Sequence, residues 1–276
     1  MKIWIITSWS ETLSLFKFLS KYTHDYVVYY DFLHWPYGDK TFEQSLAYVE
    51  QWIAFLVKQG VEIIIVPPTY ELALLEKKNK APILSLFRTY VLENCFKYSL
   101  VGKLGLFWDF ADMQVAQTLV KNIEKTYSLA PNQKSIKKFH SPFVYRVKET
   151  PLWKYYLTSL SYSNILVNKI IKFDLRYFKD AMVDTIVPLN YGYFHYQTTI
   201  TKFLNFKKIR FHGLQNIEKS FDSFNLKQST VYSLKIFYTW NNEFLLREKR
   251  LMWLLQRGKS TDIVREKIYT APLWKS

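Results

Sequence analysis

Val183-Asp184-Thr185-Ile186-Val187-Pro188-Leu189-Asn190-Tyr191-Gly192-Tyr193 is the stretch on which the fold turns. Asp184 to Leu189 reads as a short apolar strand, and Asn190 and Gly192 supply turn chemistry behind it. An earlier run has the same build. Val61 to Val66 is almost wholly apolar and β-branched, which suits a strand buried on both faces of a parallel sheet, and Pro67-Pro68 ends it.

Outward from these two runs, strands and helices alternate. Lys2–Thr7 and Tyr26–Tyr30 read as strands, with Ser10 as the cap of a helix over 12–21. Thr41 caps a long helix with Glu43 and Gln44 in its first turn and Gly60 at its end. Phe42, Leu46, Val49, Ile53 and Leu56 follow the helical period within it. Helices are expected near 71–78, 87–98, 111–126, 153–181, 194–205, 214–226 and 241–255. Strands are expected at 82–84, 103–107, 207–211 and 231–238, with at most a short one in the polar, basic stretch 127–150. This alternation argues for an α/β fold with parallel sheets and helices outside.

The 276 residues hold 49% apolar and 18% aromatic side chains, enough for a substantial core. No run of about 18 apolar residues occurs, so no membrane span is expected. The apolar start at Met1–Thr7 is too short for a signal peptide and reads as a buried strand. Cys95 is the single cysteine, which excludes an internal disulfide and fits a cytoplasmic protein. Charge is uneven: residues 1–100 carry 10 basic and 10 acidic side chains, and the remaining 28 basic and 13 acidic ones supply the whole net +15. Such asymmetry suggests an anionic partner for the C-terminal half, against the plainer reading of a well-solvated basic surface.

Several motifs, taken in order, resemble the glutamate racemases of the aspartate/glutamate racemase superfamily. Tyr29-Tyr30-Asp31 with Trp35-Pro36-Tyr37-Gly38-Asp39 is similar to that family's strand and Pro-Tyr-Gly substrate loop. Val61–Val66 and Asp184–Val187 are similar to the lead-ins of its two catalytic cysteines. Ala81-Pro82-Ile83, Gly102–Leu106 and Phe237-Tyr238-Thr239 are similar to further family strands, the last to its final one. The resemblance runs patchily over about 1–256. It implies two pseudo-symmetric domains, each a parallel sheet flanked by helices, facing across an interdomain cleft. The first would comprise 1–98 with 213–260 and the second 99–212, leaving 261–276 as a basic tail. It implies two thiols that exchange the α-proton of glutamate from opposite faces, a chemistry suited to groups whose pKa is tunable toward neutrality. It also implies a homodimer, although no interface is legible.

At the matching positions this chain departs from the pattern. The family's Asp-Ser-Gly opening corresponds to Thr7-Ser8-Trp9. Its first Cys-Asn-Thr corresponds to Pro67-Pro68-Thr69, with the cysteine on Pro67 or Pro68 according to the alignment. Its second Cys-Thr-His corresponds to Asn190-Tyr191-Gly192. Neither proline nor an asparagine amide titrates in water. Two lost acid–base groups at roughly 10²–10⁴-fold each would remove most of the rate. No catalytic residue is therefore assigned.

The residues left to bind a small carboxylate are Ser8, Pro36, Tyr37, Gly38, Thr69, Asn190 and Tyr191. The competing readings are an ordinary Pro-Gly turn for Pro36–Gly38 and helix capping for Ser8 and Thr69. The histidines lack metal spacing and no Gly-rich phosphate loop occurs, so neither metal nor cofactor is expected. Basic runs beside aromatics, at Lys134–Phe139, Phe206–Phe211 and Arg247–Lys259, suit nucleic acid or an acidic protein. The expectation is a racemase-like protein that acts by binding, as a scaffold, a protein partner or a small-carboxylate sensor. The alternatives are an isomerase using Tyr70, Tyr191 and His195, and a DNA- or gyrase-associated basic protein.

Overall fold

The computed structural model describes residues 2–19, 22, 24–30, 40–58, 60–77, 81–108, 113–128, 142–158, 164–205, 209–212, 233–238 and 263–267. Its strands are β1 (Lys2–Ile6), β2 (Asp25–Tyr30), β3 (Ile63–Ile65), β4 (Lys103–Trp108), β5 (Val144–Glu149), β6 (Thr185–Pro188), β7 (Arg210–Phe211), β8 (Ser233–Tyr238) and β9 (Ile263–Lys267). Its α-helices are α1 (Trp9–Leu19), α2 (Phe42–Lys58), α3 (Pro68–Glu76), α4 (Glu93–Tyr98), α5 (Met113–Ser128), α6 (Pro151–Thr158), α7 (Ile165–Asp180) and α8 (Gln197–Asn205). A π-helical turn, Phe87–Leu92, leads into α4, and a 3₁₀ segment, Tyr191–Tyr196, leads into α8.

The strands form two parallel sheets, β3-β1-β2-β8-β9 and β5-β4-β6-β7. A shared pattern runs through both. The first strand of each sheet in chain order, β1 or β4, lies between the two that follow it, β2 and β3 or β5 and β6. Ile83 bridges the outer side of β3 as β7 pairs with the outer side of β6. The loops after β3 and β6, which hold Pro67-Pro68 and Asn190, therefore occupy equivalent places in the two sheets.

The chain divides into two compact units, 1–66 with 80–84 and 221–276, and 67–79 with 85–220. Residues 67–79 and 85–98, assigned with the first domain on sequence, thus pack with the second. The expected tail contributes β9, paired in parallel with β8, so 261–276 is not simply a tail and Phe237-Tyr238 is not the last strand. The β-branched pair Ile263-Val264 gives that segment its strand character. The single helix expected over 153–181 is two: α6 starts at Pro151, and α7 restarts behind Asn164, whose side chain accepts from the Leu166 N–H. The helices expected at 214–226 and 241–255 lie outside the described residues.

The core of the second unit sits between α7 and its sheet. Phe107, Trp153, Ile171, Leu175, Phe178, Ile186 and Tyr193 are all buried there. Gly105 makes the close approach of α7 feasible, since a Cβ on it would lie 2.6 Å from Phe178 Cδ1 and 2.9 Å from Ile186 Cγ2. In the first unit, Thr41 caps α2 reciprocally with Gln44 at 3.1 and 3.3 Å, and Gly60 takes the left-handed turn at φ +72°.

Candidate functional site

The segments after β1, β3 and β6 carry Ser8, Thr69, Asn190 and Tyr191 of the binding residues expected from sequence. After β1, the helix begins at Trp9, one turn earlier than expected, so Ser8 precedes its first turn and Ser10 lies within it. Glu11 accepts the Ser8 N–H at 3.0 Å, as the acid of a Ser-x-x-Glu capping box does, and also accepts the Ser8 hydroxyl at 2.8 Å, where the full box would have that hydroxyl accept the Glu11 N–H. Thr7 and Thr12 join their hydroxyls at 2.7 Å, and all these side chains are buried. The polar groups of Thr7 and Ser8 thus serve the start of α1.

After β3, Pro67 occupies the N-cap of α3 in extended geometry and Pro68 its first turn, where a missing N–H costs nothing. The helix therefore starts at 68, three residues earlier than expected. Thr69 is buried, and its hydroxyl has no hydrogen-bond partner among the described residues. Two residues on, Glu71 is fully buried. Its carboxyl accepts the N–H groups of Phe87 and Arg88, both at 2.9 Å, and thereby caps the π-helical turn. Ser85 Oγ stands at 3.5 Å. Burial raises the Glu71 pKa to about 7, against the opposing pull of the two N–H groups and of Tyr191.

After β6, Asn190 accepts the Gly192 N–H at 2.7 Å on its own side-chain oxygen and so caps the 3₁₀ segment. Tyr191 is fully buried and donates its hydroxyl to Glu71 at 3.2 Å. Tyr193 exchanges hydrogen bonds with Thr150 and stacks on Phe107 with ring centroids 5.6 Å apart. The second unit thus ties the loop after β3 to the loop after β6 through the Glu71–Tyr191 bond. Sequence reasoning passed over Glu71. The signal available was an acid buried in the apolar first turns of a Pro-Pro-initiated helix.

His195 lies half-buried in the same 3₁₀ segment. Cys95 is buried in α4, where desolvation, and then the Asp184 carboxylate, push its thiol pKa well up. Asp184 itself accepts the Ser99 hydroxyl and the Leu100 and Val101 N–H groups, which fastens the turn before β4. Pro36, Tyr37 and Gly38 lie outside the described residues, as do Lys134–Lys138, Lys207, Lys208 and 247–259. Among the described residues, no three His, Cys, Asp or Glu side chains gather as a metal site requires, and no helix is long and apolar enough to cross a membrane.

Two parallel α/β sheets with the same internal strand order are a fold that this chain shares with solved glutamate and aspartate racemases. Glutamate racemase from Thermus thermophilus, solved with beta-chloro-D-alanine, matches with a TM-score of 0.70 at 14% identity over 98% of this chain and 97% of its own. RacE1, a glutamate racemase isoform from Bacillus anthracis, matches at 0.67 and 13% identity over 98% and 97%. Aspartate racemase from Picrophilus torridus matches at 0.52 and 13% identity over 83% and 96%. By sequence, 85 residues are 33% identical to "Glutamate racemase" of Desulforudis audaxviator (strain MP104C), covering 29% of this chain and 31% of that relative. The aligned stretch thus spans about a third of the relative's length. The chain matches no protein-family model. Over that aligned stretch the chain is similar in sequence to a glutamate racemase, and its fold is that of the solved glutamate racemases.

Proposed function

We propose that this chain does not racemise amino acids through two thiols and acts instead by binding. The observation that carries the reading is what stands at the two equivalent strand ends. Pro67 and Pro68 offer pyrrolidine rings, and the Asn190 amide oxygen is spent on the Gly192 N–H. Neither can remove or return an α-proton. The chain's one cysteine is buried in a helix, with its thiol held protonated. What supports a ligand near these loops is the buried Thr69 hydroxyl, which has no hydrogen-bond partner among the described residues and is a donor that a small carboxylate admitted there would meet.

A second reading draws on the Glu71–Tyr191 pair. A buried carboxyl with a pKa near 7 beside a phenol is a general acid–base pair in chemical terms. Against it, both carboxyl oxygens already accept backbone N–H groups and Tyr191 is sealed from solvent. Prolonged incubation with L-glutamate and L-aspartate, followed by chiral chromatography, separates the readings. The binding reading expects no D-enantiomer above the protein-free control. D-enantiomer formed by wild type and by Cys95→Ala but not by Tyr191→Phe would replace it with the second.

A further inference from the structure

Helix α7 carries more apolar side chains than its fold uses. Val167, Ile171, Leu175 and Phe178 form the buried stripe that packs on the sheet. One such stripe is what a surface helix needs. At about 100° per residue, Leu166, Phe173 and Tyr177 form a second row within a sector of about 40°, well away from the first. They are 51%, 68% and 39% exposed. Phe173 therefore presents most of its ring to solvent although burial would favour it by about 2 kcal/mol.

Beside this row, on the side away from the core, Lys169, Lys172 and Arg176 form a cationic row about 60° wide, all exposed. Asp174 is turned the other way, accepting the Trp153 indole N–H at 2.8 Å and lying 3.7 Å from the Lys148 ammonium. It does not neutralise the row; the acid next to the row is the exposed Asp180, in the helix's last turn. An exposed aromatic row with an adjoining row of bases is the arrangement of a recognition surface, with anchors at the centre and charge at the rim.

We propose that this face of α7 docks an acidic amphipathic segment of another protein. The segment's apolar side chains would cover Leu166, Phe173 and Tyr177, and its carboxylates would meet Lys169, Lys172 and Arg176. The inference rests on the binding reading and names its partner. A second copy of the chain is disfavoured because it would bring like charges together on a protein of net charge +15. Nucleic acid is disfavoured because phosphate contacts use the cationic row and leave the apolar row in water. A bilayer is disfavoured because the bases flank the apolar row on one side only, where a helix lying in the interface holds a broad polar face around its apolar one.

The test uses the full chain and a synthetic peptide of about 18 residues, helical, with a leucine row and an adjoining glutamate row, followed by fluorescence anisotropy. A peptide with lysine in place of glutamate is the control. The acidic peptide is expected to bind, more weakly as salt rises, and the lysine peptide not to bind. Phe173→Ser with Tyr177→Ser, and separately Lys172→Glu with Arg176→Glu, should each weaken binding by about tenfold or more. All four positions are exposed, and an unchanged thermal midpoint shows that each variant is folded. Equal binding of both peptides, or binding untouched by both double variants, overturns the proposal. So does tighter binding of anionic vesicles or duplex DNA that is lost in the same variants. Because the readout involves neither amino acids nor the strand-end loops, its failure leaves the binding reading standing. Formation of D-glutamate, conversely, leaves the peptide result standing.

Discussion

Replacing Glu71 by glutamine should remove a pH dependence that this one carboxyl imposes on folding. In the folded chain its pKa lies at about 7, raised from 4.5 chiefly by burial. The folded state therefore holds the proton between those values while the unfolded chain releases it. The unfolded state binds fewer protons there, so stability falls as pH rises through the window and levels off above about pH 7. A shift of about 2.5 pH units corresponds to roughly 3 kcal/mol over the whole window, and most of that lies between about pH 5 and pH 8. Exposure does not dilute this figure, because Glu71 is fully buried. Glutamine keeps the shape but has one acceptor oxygen where the carboxyl presents two to Phe87 and Arg88. The variant should thus lose a roughly constant amount, about 1–3 kcal/mol, for the N–H left facing an amide nitrogen. Urea titrations at several pH values, wild type against Glu71→Gln, isolate the effect from other titrating groups. The stability difference should drift by about 2–3 kcal/mol from pH 5 to pH 8, in the direction that favours the variant at high pH. Parallel stability curves would refute the assignment of a raised pKa to a buried carboxyl at this place.

His212 should show the opposite sign. Burial, and then the Arg210 charge, lower its pKa to about 4. Wild type should lose stability relative to His212→Phe as pH falls from about 6.5 toward 4, read by urea midpoints. Met182→Gly should raise the thermal midpoint, by about 1 kcal/mol in stability. Met182 sits at φ +53° in a Schellman turn closed by Met182 N–H to Lys179 and Val183 N–H to Phe178, a place that glycine occupies without strain. Gly105→Ala should destabilise by about 1–3 kcal/mol in denaturant titration, since its Cβ would press on the buried Phe178 ring.

Long-range order was legible where periodicity and turn chemistry agreed. Ile64 and Ile186 lie in the runs read as buried strands, and Thr41 and Gly60 bracket α2 as their residue types imply. Local competition misled elsewhere. Ser8 and Ser10 are both capping residues by type, and only the Glu three places after Ser8 distinguishes them. The break between α6 and α7 is hidden because apolar spacing runs on through it; Pro151 and Asn164 were the signals. The Glu71–Tyr191 bond joins residues 120 positions apart. Periodicity reports faces of single elements, so it carries no trace of such a pair. The racemase fold was legible from motif order, whereas the use of Asn190 as a cap and the Ser8–Glu11 pairing required the hydrogen-bond geometry.

We propose that the racemase-like fold of this chain binds and does not exchange the α-proton of an amino acid. Incubation of the protein with L- and D-glutamate in D₂O, with the α-proton signal followed by NMR, is the deciding measurement, because even one-base chemistry that never completes inversion would exchange that proton. The signals of both enantiomers should persist as they do in the protein-free control. Loss of either signal faster than in that control, abolished in Tyr191→Phe or Tyr70→Phe, would contradict the proposal.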